Sequence, residues 1–167
     1  MIRDEAQPSL GADDAHAPEW ALWHHQFDLK RTADGSIYLT RWWLVKTPLG
    51  GIALHRMSAP DARPTLHDHP FSFLSVVLRG SYYEHRLEPR TMRVTRRWVT
   101  RFNLVRKHDA HTIAVLGADV VWTLLFVGKH RRTWGFWEPD VFSDANGDGS
   151  VWHWIKHDAY DSGHYAA

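Results

Sequence analysis

The sequence contains no cysteine. That excludes a disulfide framework, a thiolate zinc site and a thiol nucleophile. It has no excess charge of either sign: 20 Lys and Arg stand against 19 Asp and Glu, for a formal net charge of +1. Nothing in that balance calls for nucleic acid or an anionic membrane as a partner. No apolar run approaches the ~20 residues that cross a bilayer. The start, Met1-Ile-Arg-Asp-Glu5, lacks the basic stretch followed by an apolar one that opens a secretory signal. The expectation is a cytoplasmic protein without a membrane partner. Helical patterning is also scarce, and only a short segment, Glu19–Phe27, reads as a helix. What is present is the length of one domain, 167 residues, with 44% hydrophobic and 23% charged residues, as in ordinary globular chains. Two counts depart from the ordinary: 13 His, the side chain most used to hold metals, and 10 Trp, enough to build a core or pocket from large rings.

Residues 1–18 are small and acidic (Asp4, Glu5, Asp13, Asp14) and carry no apolar period, which predicts a disordered arm. A single domain is expected over 19–167. From Ser36 onward, short runs of Val, Ile, Leu, Trp and Tyr alternate with Gly, Pro and Asp, predicting strands near 36–46, 51–58, 70–78, 81–87, 97–104, 111–116 and 119–127. Turns are expected at Pro48-Leu-Gly-Gly51, Ala59-Pro-Asp61, Arg79-Gly80 and Gly117-Ala-Asp119. Many short strands at this spacing indicate an all-β antiparallel sandwich or barrel, here over about 36–127. The tail, 128–167, is aromatic: Trp134-Gly-Phe-Trp137 and Val151-Trp-His-Trp154 read as two short strands or an outer clasp. Between them, Asp144-Ala-Asn-Gly-Asp-Gly149 imitates the start of a calcium loop. The position of its bidentate Glu holds Ile155, so the segment reads as a tight Asx and Gly turn.

The stretch Leu66-His-Asp-His-Pro-Phe-Ser-Phe73 carries the chemistry. On an extended chain His67 and His69 point to one side, so two imidazoles can grip one ion. A third must come from elsewhere, and His111, which opens a later strand, competes with His108 for that place. His55 and His85 read as structural or pocket-lining, and His16, His24, His25, His130, His153, His157 and His164 as surface or tail residues.

This pattern resembles the cupin superfamily of small double-stranded β-barrels, over roughly Tyr38 to Val127. His67 and His69 match the His-x-His of its first motif, and Gly80 falls at the usual distance after them. His111 matches the His of the second motif, whose Pro and Gly positions hold Arg106 and His108. The resemblance implies a cupin-like barrel of jelly-roll type and a metal site of His67, His69 and His111. The first-motif Glu is missing, because Phe73 stands in its place. Three-histidine cupins include thiol dioxygenases, which favours oxygen chemistry. Without cysteine, the cofactor part of that analogy is incomplete.

A replacement carboxylate is available. If Arg79-Gly80 closes a two-residue hairpin, Ser75 pairs with Glu84 and Phe73 with Arg86, and Tyr82, Glu84 and Arg86 face the side of His69. Glu84 is then a fourth ligand or a base beside the metal; the alternative register turns it to the surface. Tyr82 is a candidate to hold substrate or a bound oxygen species. Arg56, ending the strand before the histidine loop, would clamp a substrate carboxylate if inside the barrel and be solvated if outside. The arginines between Arg86 and Lys107 read as a solvated edge hairpin.

The function expected is a metal-dependent enzyme, an Fe(II) oxygenase or dioxygenase acting on a small molecule and O2; Zn, Ni or Mn would also suit imidazole ligands. The alternatives are a cupin-type isomerase, epimerase or lyase, or a non-catalytic module that binds a small molecule or senses a metal. Sheet edges in such barrels pair across two-fold axes, so a homodimer is expected.

Overall fold

The structure is a computed structural model that describes residues 21–22, 27–31, 35–62, 65–139 and 151–158. The arm over 1–18 and the turn from Asp144 to Gly149 lie outside the described residues. Thirteen strands are described in chain order: β1 (Ala21–Leu22), β2 (Phe27–Arg31), β3 (Ile37–Thr47), β4 (Gly50–Met57), β5 (Leu66–His67), β6 (Phe73–Arg79), β7 (Tyr82–Glu88), β8 (Arg93–Val99), β9 (Phe102–Val105), β10 (His111–Leu116), β11 (Val121–Val127), β12 (Gly135–Pro139) and β13 (Trp152–Lys156). Among the described residues no helix is long and apolar enough to cross a membrane.

The strands form two antiparallel sheets. The first runs β1-β3-β4-β11-β6-β9, with β2 also on β3; the second runs β13-β12-β5-β10-β7-β8. Their inner faces follow the period of two that strand geometry imposes. On β4, Ala53, His55 and Met57 are buried; on β11, Val121, Thr123 and Leu125 are. The two faces meet in one cluster, where Met57 and Val121 of the first sheet pack on Tyr82 and Val99 of the second. A second cluster, of Ala53, Phe73, Val105 and Leu125, lies beside it with Trp43 and Phe71. The all-β antiparallel barrel expected from the sequence is therefore present.

Three expectations are corrected. β6 and β7 do not form a hairpin: β6 pairs with β11 and β9, whereas β7 pairs with β10 and β8. Arg79-Gly80-Ser81 carries the chain from one sheet to the other. Gly80 has φ +80°, and a Cβ there would meet Val121 at 3.0 Å, so the switch requires glycine. The strand expected over 97–104 is likewise two, because the chain changes sheets at Thr100-Arg101 between β8 and β9. Finally, the described part of the segment expected as a helix is extended. Ala21 and Leu22 pair with Lys46 and Val45 of β3, whose ladder outweighs a weak local helix preference.

The aromatic tail is part of the second sheet. β12 pairs with β5 as well as with β13, so Phe136 stands opposite His67. On the face of β5 away from His67, Leu66, Leu87 and Ala110 form a third cluster covered by Met92, Trp137 and Trp152.

Candidate metal centre

His67 ends β5, His69 follows two residues later, and His111 opens β10 directly opposite His67 in the ladder. The three imidazoles converge. Each offers one ring nitrogen within 4.8 Å of the others', and Nε2 of His69 lies 2.7 Å from Nε2 of His111. His108 is exposed and lies outside this cluster, which His111 joins. Phe73, at the position of the missing Glu, sets its ring edge-on to His69 at 5.0 Å. Phe71 stacks on His69 at 6.1 Å, and Trp134 and Phe136 meet His67 edge-on, each at 6.4 Å. The walls are aromatic, and the donors are nitrogen only.

Burial favours neutral imidazoles here. It pushes His69 well below its ordinary value, helped by the charges of His111, His67 and Arg41. His67 is lowered too, by burial first; Asp61 opposes the shift and His111 adds to it. Neutral rings present lone pairs, the form a metal needs.

Glu84 is fully buried behind His111. Its Oε2 faces Nδ1 of His111 at 3.5 Å, and that buried nitrogen makes no hydrogen bond. Its Oε1 accepts from Nε of Arg86 at 2.6 Å, and Nδ2 of Asn103 donates to Oε2. Burial pushes the Glu84 carboxyl up, but His111 facing it and the Arg86 guanidinium outweigh it and hold it down at about 2. The inward reading of Glu84 holds although the hairpin that suggested it does not form. Tyr82 sits in the same network, its hydroxyl accepting from Nδ2 of Asn103 at 3.1 Å. Burial pushes the phenol above its ordinary value. Arg86 continues the network by donating from Nη2 to Oδ1 of Asn103 at 2.9 Å and from Nη1 to Oδ2 of Asp109 at 3.3 Å. Asp109 closes the turn before His111 by accepting from the Arg106 amide at 2.9 Å.

Asp68, between the two histidines of His-x-His, points the other way. It is fully buried and accepts four hydrogen bonds: from Arg132 Nη1 at 2.7 Å, the Gly135 amide at 2.9 Å, Trp154 Nε1 at 2.9 Å and Trp137 Nε1 at 3.3 Å. Arg132 Nη1 also donates to the Lys107 carbonyl at 2.8 Å. One guanidinium thus joins the segment carrying His67 and His69 to the loop leading into His111. His157, expected in the tail, stacks on Trp134 at 4.7 Å.

Arg56 is not brought to this site. On β4 it alternates with inward-facing His55, and its ladder partners are Thr40 and Trp122. Trp122 stacks on Trp42 at 5.7 Å, on that opposite face. The arginine that shares the inner face is Arg41, which sequence reading did not single out. Its Nε donates to Nε2 of buried His55 at 2.7 Å, and its guanidinium lies 5.7 Å from the centre of the Trp43 ring.

No family model and no curated protein matches the sequence. Among solved structures, the chain is similar to HppE in its Fe(II) form, with 15% identity, 69% of this chain and 62% of that one covered, and a TM-score of 0.48. It is similar to the capsular polysaccharide assembling protein CapF from Staphylococcus aureus, with 12% identity, 80% and 33% covered, and a TM-score of 0.49. Oxalate decarboxylase from Bacillus subtilis matches with 16% identity, 62% and 27% covered, and a TM-score of 0.44. The chain spans less than two thirds of each of these proteins.

Proposed function

We propose that the chain is a metal-dependent enzyme of the cupin type, an Fe(II) oxygenase acting on a small molecule, with His67, His69 and His111 as the ligands. The observation that carries this reading is the convergence of three buried or half-buried imidazoles within 4.8 Å among aromatic walls. Three protein ligands leave positions for substrate and oxygen, and iron bound there would supply the oxygen chemistry.

The chain's own groups have separable tasks. Glu84, kept ionised, faces the Nδ1 proton of His111, which keeps the Nε2 lone pair toward the site. Asn103 and Arg86 hold Glu84 in place. Tyr82 braces Asn103, and its buried, hydrogen-bonded phenol is poorly suited to proton transfer, which favours the oxygenase over an isomerase, epimerase or lyase run by that tyrosine. Phe71, Phe73, Trp134 and Phe136 exclude water from the rings they touch. Neither Glu84 nor Tyr82 acts on substrate in this reading.

The test is anaerobic reconstitution with Fe(II), Mn(II), Ni(II) or Zn(II), followed by oxygen-electrode and product screens over small-molecule libraries. Substrate-dependent O2 uptake by the iron form alone supports the oxygenase. Turnover without O2 overturns it in favour of the isomerase or lyase reading. Binding without turnover by any metal form overturns it in favour of a binding module.

A further inference from the structure

An antiparallel sheet with one face in water alternates apolar residues inward with polar residues outward. The first sheet does not. Its buried, inward residues include Thr123 on β11, Ser75 on β6, Asn103 on β9 and His55 on β4. The side chains that alternate with these face outward and are apolar. Ladder partners share a face, so the outward residues form rows across the sheet. Ile52, Phe126, Leu74 and Leu104 make one row; Trp42, Leu54, Leu124, Val76 and Phe102 make the next. Phe102 is 65% exposed, Leu104 52% and Phe126 43%; the others are half-buried. Beyond them Trp122 stacks on Trp42, and Arg56 and Arg79 stand beside Trp122 in the ladder, bordering the patch.

The patch crosses β3, β4, β11, β6 and β9. With strands about 4.8 Å apart and about 3.4 Å per residue, it measures roughly 20 by 20 Å in outline. That is at the upper end of what a monomer leaves in water. Two such faces in contact bury about 1,000 Å² once side-chain relief is counted, which reaches the size of a specific interface.

Whatever covers this face is itself broad and apolar. Residues 1–18, outside the described residues, offer Met1, Ile2 and Leu10 as their large apolar side chains, too few to match it. A second copy offers an equal patch, and a net charge of +1 does not keep two copies apart. Two-fold dimers, in which one patch meets itself, are the commonest soluble oligomers. We infer that the outer face of the first sheet is the interface of a homodimer, with Leu124 near the two-fold axis and Arg56 and Arg79 at the polar rim. The homodimer expected from the sequence thus joins by a sheet face rather than by paired edges, and it needs no metal.

The experiment is sedimentation equilibrium of the full chain at about 1–100 μM, where interfaces of this size are populated. The wild type is compared with Phe102→Glu, Phe126→Glu and Val115→Glu. Phe102 and Phe126 are exposed in one copy, so a carboxylate there is solvated in the monomer and buried without a partner in the dimer. Val115 is 53% exposed but lies on β10, in the second sheet. The expected result is a dimer for the wild type and for Val115→Glu, and a dissociation constant raised about 100-fold or more in both phenylalanine variants. Circular dichroism and thermal melting check that each variant is folded; Phe102→Glu, on the edge strand β9, serves if Phe126→Glu is not. A wild type that stays monomeric at the highest concentration overturns the inference and leaves the face to another protein or to the chain's own outlying segments. Self-association that withstands either folded phenylalanine variant, or that Val115→Glu weakens equally, overturns it too.

Discussion

Replacing Asp68 should damage the protein more than replacing either histidine beside it. The carboxylate is fully buried and accepts from one guanidinium, one backbone amide and two indoles. In Asp68→Ala the Gly135 amide and the indoles of Trp137 and Trp154 lose their acceptor; a buried donor left unpaired costs about 1–3 kcal/mol. Arg132 loses less than a fully buried cation would. Its side chain is 25% exposed, and it keeps the Lys107 carbonyl and the Trp154 ring. The expected total is about 3–5 kcal/mol, the range for breaking a buried ion pair from one side. That is a large share of the 5–15 kcal/mol of a typical domain, and corresponds to a fall in Tm of roughly 10 °C. Asp68→Asn keeps the volume and one acceptor and should lose about 2 kcal/mol. Urea unfolding in the presence of a chelator measures both. Because Arg132 ties this segment to the loop before His111, the folded Asn variant should also bind metal about tenfold more weakly. A loss below about 1 kcal/mol in the alanine variant would refute the reasoning, since these four hydrogen bonds to a buried carboxylate could not then be present in solution.

Other substitutions and conditions separate the roles assigned here. Glu84→Gln should lower metal affinity about 10–100-fold while His111 remains in place; isothermal titration with Co(II) measures it, and an unchanged affinity would remove Glu84 from the account. Without metal, stability should fall as the pH drops through 6.5. His55, His67 and His69 all have native values below 6.5, so below that pH the unfolded chain binds more protons than the native one. Glu84 adds a second loss at lower pH: its contribution is complete above 4.5 and disappears as the pH falls toward about 2. Urea midpoints in chelator at pH 8, 6 and 5 test the first step, and a midpoint that stays level or rises as the pH falls from 8 to 5 would contradict it. Arg56→Ala should leave Co(II) affinity within about twofold of wild type, since surface positions away from a site change little; the same titration checks this, and a larger loss would place Arg56 inside the barrel.

Much of this site was legible in the sequence, for a physical reason. Strand alternation is strict, so His67 and His69 had to share a side, and Asp68 had to oppose them. Gly80 was legible by its distance from that pair, and His111 by opening a later strand and by matching the His of the second motif in the family resemblance. The missed features depend on where the chain departs from regularity. Counted from a two-residue turn at Pro48-Leu49, Arg41 would pair with Arg56; the irregularity around Leu44 moves it opposite His55. No local signal near Leu44 announces that shift. Similarly, Arg79-Gly80 looks like a hairpin turn, and only the partners of β6 and β7 reveal a change of sheet. The Asp68 network joins residues 68, 132, 135, 137 and 154, and no spacing rule links positions so far apart. The aromatic tail reads as two short strands or a clasp, and the two strands form; their place in the second sheet was not legible because it depends on the two-residue strand β5, too short to show a period.

The claim on which the account stands is that three histidines hold one metal ion. Elemental analysis answers it most directly, on protein purified without a metal-binding tag, reconstituted with Fe(II) under argon and desalted, with His67→Ala, His111→Ala and His108→Ala alongside. The account predicts near-stoichiometric metal in the wild type and in His108→Ala, and its loss in His67→Ala and His111→Ala. No retained metal in the wild type, or equal metal in all four proteins, would contradict it.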